Sequence, residues 1–436
     1  MTVSSSLATL HLQHLTSLEH AYQQALDAHG YTGVLLYSGH ARVHFGDDQT
    51  ASFSTYGHFL HWVPLPGSEH CWLLIRPGQR PLLRWYAPSD FWHLPPELPD
   101  EPWRDRFDIE PATETSPPQL PKGRFAVLGD VDGETAAKLG AELNPEALTV
   151  ALDELRVRKT PYEVACLRKA NARAFAGHLA AREAFDAGAA ELDIQLAYLA
   201  ASRQRESAVP YQNIIGVNRH AGVLHYQHYD LHPVQWHYSL LVDAGHRYRG
   251  YCADITRTWA GREASELFEQ LIEGVTRLQR RLIDSLAPGH SYLALHERMH
   301  RELGELLAGH GIVRCSADAA VAQGITRAFC PHGLGHLLGL QVHDVAGRRL
   351  ADGSSLPAPA DHPALRLTRE LEAGMVLTIE PGCYVIPMLL APLRDAEAGR
   401  DIVWETVESL APHGGIRIED NVVITPDGHD NLTPKS

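Results

Sequence analysis

Three observations predict a mixed α/β (α+β) chain of two domains: short apolar runs between turns in the first third, a capping box opening a long helix near Thr160, and, beyond it, strands that end in acids. The boundary at Thr160-Pro161-Tyr162-Glu163 separates a small amino-terminal α/β domain, residues 1–158, from a carboxy-terminal domain, residues 159–436. Two to three domains also suit a length of 436 residues, at a prior of about 150 residues each.

The composition is that of a soluble globular protein, and a formal charge of -15 argues against nucleic acid or an anionic membrane surface as partner, since both need a basic patch. Cys71, Cys166, Cys252, Cys315, Cys330 and Cys383 lie far apart with no CxxC pair. Neither a zinc knuckle nor a dense disulfide framework is indicated, and a reducing cytoplasm suits them. The first residues mix Ser, His, Gln and Glu with leucine, and no long apolar run follows anywhere, so neither export nor membrane insertion is expected.

From the amino end, residues 10–29 have helical character and stop at Gly30. Strands are expected at 34–37, 72–75, 82–86 and 125–129, with the Pro-rich segment 111–122 as a surface loop before the last. Thr160 at the N-cap, Pro161 at N1 and Glu163 at N3 start the next helix, and Gly188 is its stop. Leu267, Leu271, Leu278 and Leu282 give the helical spacing of a core-packed helix over 267–286, and another follows over 295–307.

The stretch 240–254, LLVDAGHRYRGYCAD, reads as a β-hairpin with an acid at either end. Centred near Tyr248 and Arg249, it sets Asp243 opposite Asp254, with Cβ atoms roughly 5 Å apart. Opposed carboxylates repel and raise one another's pKa, so they need a proton or a cation between them. A register shifted by one residue instead turns both acids to solvent. Leu241-Val242-Asp243-Ala244-Gly245 is echoed by Thr378-Ile379-Glu380-Pro381-Gly382, a hint of duplication in which each half delivers acids to a shared centre.

His332, His336 and His343 fall in a glycine-rich stretch that suits a loop wrapped round a site. In Gly414-Gly415-Ile416-Arg417-Ile418-Glu419-Asp420-Asn421, a predicted strand, Arg417, Glu419 and Asn421 share one face. Glu419 there is either a solvated, salt-bridged acid or a further metal ligand.

The order Asp243, Asp254, HGLGH ending at His336, EPG beginning at Glu380 and GGIRIED containing Glu419 resembles the "pita-bread" metallopeptidases, the family of methionine aminopeptidase, aminopeptidase P and prolidase. The match is closest to bacterial-type prolidases, the Xaa-Pro dipeptidases. It extends over essentially the whole chain, including 58–92, YQNIIGVNRHAGVLHY from Tyr211 to Tyr226, and the segment after Glu380.

The resemblance implies that the carboxy-terminal domain is a pita-bread (creatinase/methionine aminopeptidase-like) fold in which Asp243, Asp254, His336, Glu380 and Glu419 hold two divalent metal ions, with Asp254 and Glu419 bridging. Oxygen-rich ligands with one histidine suit Mn²⁺ or Co²⁺ better than a thiolate-type zinc site, and manganese is the expectation, with Co²⁺ or Zn²⁺ as alternatives. It further implies that Glu380 carries a proton to the departing proline nitrogen and that His225 and His343 lie near the oxyanion, with His332 as a further inner-shell candidate. Arg366 matches the arginine that binds the carboxylate of a carboxy-terminal proline, where the alternative is a surface salt bridge; Arg417 is a second basic candidate. The implied protein is a cytoplasmic homodimer that hydrolyses Xaa-Pro dipeptides, with a possible side reaction on organophosphorus triesters. Its rivals are an aminopeptidase P acting on longer peptides and a non-catalytic peptide-binding member of the fold.

Overall fold

A computed structural model describes residues 6–435. Helix α1 (Leu7–His29) starts where the Ser6 hydroxyl accepts the Thr9 amide and ends at Gly30, which takes the left-handed conformation (φ 70°) that favours glycine. There follow β1 (Gly33–Tyr37), α2 (Gly57–Trp62), β2 (Trp72–Ile75), β3 (Leu82–Tyr86), β4 (Asp108–Ala112), β5 (Phe125–Leu128), α3 (Gly133–Leu139), β6 (Ala141–Leu143) and α4 (Glu146–Val157). The strands form one mixed sheet in the order β4-β3-β2-β1-β5-β6. Both faces of β1 are covered: Val34 and Leu36 pack with Leu15, Tyr22 and Leu148, whereas Leu35 and Tyr37 pack with Phe125 and Ala136. Burial on both faces is why this strand reads as a continuous apolar run. The Pro-rich segment is a loop only in part, because Pro111 and Ala112 belong to β4, where Pro111 stands opposite Trp85. An edge strand tolerates proline, which lacks the amide a central strand needs.

Helix α5 (Pro161–Asp186) opens as its sequence predicts, with the Glu163 carboxylate accepting the Thr160 amide at 2.8 Å, and Gly188 follows its end at a φ of 84°. The chain divides into two compact units within this helix, at Cys166; the first also takes in Arg249–Tyr251 and Leu350–Ser354. After α5 come α6 (Glu191–Ser202), β7 (Ile214–Val217), β8 (Ser239–Ala244), β9 (Arg247–Tyr248), β10 (Tyr251–Cys252), β11 (Ile255–Ala260), α7 (Glu266–Asp284), α8 (Tyr292–Gly309), α9 (Ala317–Ala322) and α10 (Ile325–Phe329). The last part holds β12 (Val376–Ile379), β13 (Gly382–Tyr384), α11 (Pro387–Arg394), α12 (Trp404–Leu410), β14 (Gly415–Arg417), β15 (Asp420–Thr425) and β16 (Gly428–Asn431). Two three-stranded sheets, β11-β8-β7 and β12-β15-β16, frame the second unit. Among the described residues, a backbone bridge between Thr256 and Glu419 and the Arg257–Asp420 ion pair connect them.

Two expectations need correction. Asp243 pairs with Thr256, not Asp254, because the hairpin turns at Arg249 and Gly250, both at positive φ (52° and 94°). A two-residue turn with both central residues left-handed wants glycine second, which moves the centre one residue onward and the pairing by two. Asp254 therefore lies diagonal to Asp243. The segment 414–421 is also not one strand: β14 pairs with β13, β15 pairs with β12, and Ile418 and Glu419 carry the chain from one partner to the other. No helix among the described residues is long and apolar enough to cross a membrane.

Candidate metal centre

Each sheet contributes acids at the end of a strand or just beyond one. Asp243 is the penultimate residue of β8 and Asp254 precedes β11, whereas Glu380 directly follows β12 and Glu419 precedes β15. These four acids line one cavity of about 110 Å³ together with Leu224, His225, His332, His336, His343 and Arg417. Nine of the ten residues singled out in the sequence thus converge. Arg366, the tenth, lines a second pocket of about 690 Å³ whose wall also includes His336 and His343.

The ligand atoms of Asp254, His336 and Glu419 all lie within 4.8 Å of one another, and the three residues are buried. His336 Nε2 is 3.4 Å from Asp254 and 3.5 Å from Glu380. Its Nδ1, 3.0 Å from the Leu337 carbonyl, is placed to donate there, which leaves the Nε2 lone pair toward the acids. The Tyr211 hydroxyl contacts Asp243 at 2.8 Å and Asp254 at 2.5 Å. Burial and the neighbouring acids raise its pKa well above the ordinary value, so it stays protonated. One phenolic proton then serves two carboxylates.

Burial and neighbouring acids raise the carboxyl groups of Asp243, Glu380 and Glu419, that of Glu380 to about 7. Burial also pushes Asp254 up, but His336 outweighs it and holds this acid below the usual range. The same ion pairing raises His336 against its burial. Four carboxylates with so few cations are a strong demand for positive charge. Oxygen donors with one imidazole, on a shared buried cavity, fit hard or borderline divalent ions.

Arg417 is held on three sides: Nη2 donates to Asp243 at 2.7 Å, Nη1 to the Tyr384 hydroxyl at 2.8 Å and Nε to Thr256 at 3.2 Å. Its guanidinium orients Asp243 and is not presented to a substrate carboxylate. His332 is likewise engaged at both nitrogens, by the Gly333 carbonyl at 2.8 Å and Tyr384 at 2.9 Å, so it braces Tyr384 and is not placed as an inner-shell donor. His225 is exposed at the cavity, whereas His343, open to solvent on one side, packs its ring against His336 with centroids 4.5 Å apart. Burial, His336 and Arg366 lower His343 to about 4, so it is a neutral imidazole near pH 7. Arg366 is exposed and makes no salt bridge among the described residues, so the surface-pair alternative finds no partner here.

Sequence reasoning missed several supporting groups. Thr256 donates to Glu419 at 2.6 Å and Thr378 to Glu380 at 3.2 Å. Each lies two residues from an acid, the strand period that puts side chains on one face, so spacing could have found both. Asn421 accepts the Asp254 amide at 3.0 Å. Tyr211, far from the acids in sequence, carries no such local signal.

Residues 165–426 match the model of metallopeptidase family M24. The chain belongs to this family. Residues 9–154 match a second model, the Xaa-Pro dipeptidase N-terminal domain. Among M24 relatives, an Xaa-Pro dipeptidase of Marinobacter nauticus is 50% identical over 425 residues, 96% of either chain. Another, from Aeromonas hydrophila, is 44% identical, with 98% of this chain and 99% of the relative covered. The structure of Escherichia coli aminopeptidase P with the inhibitor Pro-Leu aligns at a TM-score of 0.74 and 22% identity, over 96% of this chain and 94% of that one. A zinc-substituted form of that enzyme with product gives 0.73 at 21% identity, over the same shares. At such identity the likeness shows the fold, the pita-bread architecture that the sequence resemblance implied.

Proposed function

We propose that this M24 chain is a dinuclear-metal Xaa-Pro dipeptidase, releasing a carboxy-terminal proline from dipeptides. The observation that carries the reading is the convergence of four acids and His336 on one cavity, beside a pocket lined by Arg348, Arg349 and Arg366. The names of the relatives and the matched amino-terminal domain support it. They favour it over an aminopeptidase P. We further assign residues 1–158 to an amino-terminal domain and 159–436 to the catalytic domain, a division supported by family models that end at 154 and begin at 165.

In this reading Asp243, Asp254, His336, Glu380 and Glu419 would hold two divalent ions. Such ions supply Lewis acidity, making water acidic and a peptide carbonyl electrophilic. The chain's own groups do the rest. Arg417 and Tyr211 fix Asp243, while Thr256 fixes Glu419, so the acids keep their positions when charge changes nearby. His343, neutral near pH 7, donates an N–H group to the oxyanion, and His225 at the same cavity donates another. Glu380 carries the proton that the proline nitrogen needs in order to leave. Arg366 grips the substrate carboxylate with two parallel hydrogen bonds, which fixes the length of peptide accepted.

Manganese is the proposed occupant, supported by the oxygen-rich donor set. A cytoplasmic site of action is supported by six free cysteines, and a homodimer by family resemblance. The test is a panel of Xaa-Pro dipeptides given to metal-free and Mn²⁺-reloaded protein. Hydrolysis should vanish with the metal and return with Mn²⁺ or Co²⁺; full activity in metal-free protein would overturn the proposal.

A further inference from the structure

Helix α8 buries a face that contains two histidines, His296 and His300, four residues apart and so one turn above the other. His362, on the chain between α10 and β12, reaches the same spot. The His296 and His300 ring centroids are 4.7 Å apart at 89°, those of His296 and His362 4.4 Å at 88°, and those of His300 and His362 4.7 Å at 38°. One ring nitrogen from each lies within 4.8 Å of the other two.

Packing alone does not account for this cluster. His296 is 0% exposed and His300 1%. Neither nitrogen of His296, nor Nε2 of His300, has a hydrogen-bond partner among the described residues. A neutral imidazole carries one N–H and one lone pair, and both are unfavourable to bury unmatched. Leucine or phenylalanine would fill the same space without that penalty.

We propose that His296, His300 and His362 form a transition-metal site separate from the carboxylate centre, taking one divalent ion of the zinc class, Zn²⁺, Co²⁺ or Ni²⁺. His300 Nδ1 lies 3.2 Å from the Thr326 hydroxyl, and a proton on that nitrogen leaves the Nε2 lone pair toward the cluster. Burial lowers His296 and His300 to about 2 and 3, so both are neutral donors near pH 7. Zinc–nitrogen bonds of about 2.0–2.1 Å need nitrogens about 3.3 Å apart in a tetrahedron, so the three nitrogens, within 4.8 Å of one another here, would draw together on the ion. A fourth position stays open to water.

Arg327 is the cation nearby that opposes a bound ion. It is paired with Asp361 at 3.4 Å, and Asp361 and Glu297 both act to raise His362, so acids offset the guanidinium. Three imidazoles without a carboxylate also distinguish this site from the oxygen-rich centre, since Mn²⁺ stands lowest in the affinity order for such nitrogen sites. His362 lies four residues before Arg366, and Pro363, its neighbour, lines the larger pocket. A bound ion therefore ties the segment that carries Arg366 to α8.

The test uses the full chain saturated with Mn²⁺, exposed to Zn²⁺ in Mn²⁺-containing buffer, and analysed for both metals after removal of loosely bound ions. Wild type should keep one more equivalent of zinc than His362→Ala or His300→Gln, whatever exchange occurs at the carboxylate centre. Zinc should also raise the melting temperature of wild type by more than that of either variant, since exchange at the carboxylate centre is common to all three. His362 is only half-buried, so His362→Ala should still fold and hydrolyse dipeptides with Mn²⁺. If it does not, the comparison with His300→Gln decides. Equal zinc in wild type and variants, or no zinc retained by wild type, would overturn the proposal in favour of a cluster filled by water.

Discussion

Asp243 and Glu380 occupy matching places in the two halves of the second unit, yet they are held very differently. Asp243 is clamped by Arg417 at 2.7 Å and Tyr211 at 2.8 Å. Glu380 receives one hydroxyl hydrogen bond, from Thr378 at 3.2 Å, and otherwise faces His336 and His332 at 3.5 and 3.8 Å. A doubly clamped acid suits a fixed ligand. A lightly held one suits the proposed proton carrier, so on that reading the first half supplies the anchor and the second the acid that exchanges a proton.

Substitution at Glu380 is the sharpest way to break this contrast. Glu380→Gln should lower turnover by about 10²–10⁴-fold, the usual worth of a positioned acid or base, and by more than it lowers metal content. Glu419→Gln should instead lower metal content and turnover in parallel, because a neutral amide removes the charge that the proposed ligand supplies. Kinetics set beside elemental analysis of the same preparations check both. Parallel losses in both variants would erase the distinction, and normal metal content in Glu419→Gln would remove that acid from the inner set.

A smaller effect is expected at the anchor. Tyr211→Phe leaves Asp243 and Asp254 without their shared donor and should cost about 10–100-fold in metal affinity or activity. Titration of metal-free variant with Mn²⁺ measures it; an unchanged affinity would show that Arg417 alone suffices for Asp243.

The smallest effect concerns the metal-free protein and pH. Asp243, Glu380 and Glu419 have folded-state pKa values above their unfolded ones, that of Glu380 at about 7, and His336 is raised as well. The stability these groups contribute is fully present below their unfolded pKa values and is lost as pH rises through the folded ones. Asp254, held low, works the other way, with stability present above its unfolded value and lost on acidification. Three acids and a histidine outnumber one acid, so the melting temperature of metal-free protein should fall between about pH 5 and about pH 8. Saturating Mn²⁺ should remove the fall, since metal binding displaces those protons. Melts that rise with pH in both states would contradict the charge assignment.

Much of this was legible in the sequence where one local rule decides. The Thr160 box fixed the start of α5, and apolar spacing located α7 and α8 to within a few residues. The acids stood out because a strand that ends in a carboxylate is unusual and was seen twice. What stayed hidden depends on tertiary partners. The hairpin register turned on which residue takes the second left-handed position, the break at Ile418 on a change of sheet partner, and the roles of Arg417 and His332 on Tyr384, which no spacing rule connects to either. Short helices such as α2, and α3 and α4 beside the first sheet, lacked the length or contrast to be read.

The central claim, that Arg366 makes this metal centre a dipeptidase, is tested most directly by kcat/KM for one Xaa-Pro dipeptide and the matching Xaa-Pro-Yaa tripeptide, in wild type and Arg366→Ala. Wild type should prefer the dipeptide strongly. The variant should lose about 1.5–3 kcal/mol of transition-state stabilisation on the dipeptide, the range for a hydrogen bond to a charged group, and much less on the tripeptide. Comparable values for the two lengths in wild type would contradict the account and favour an aminopeptidase P.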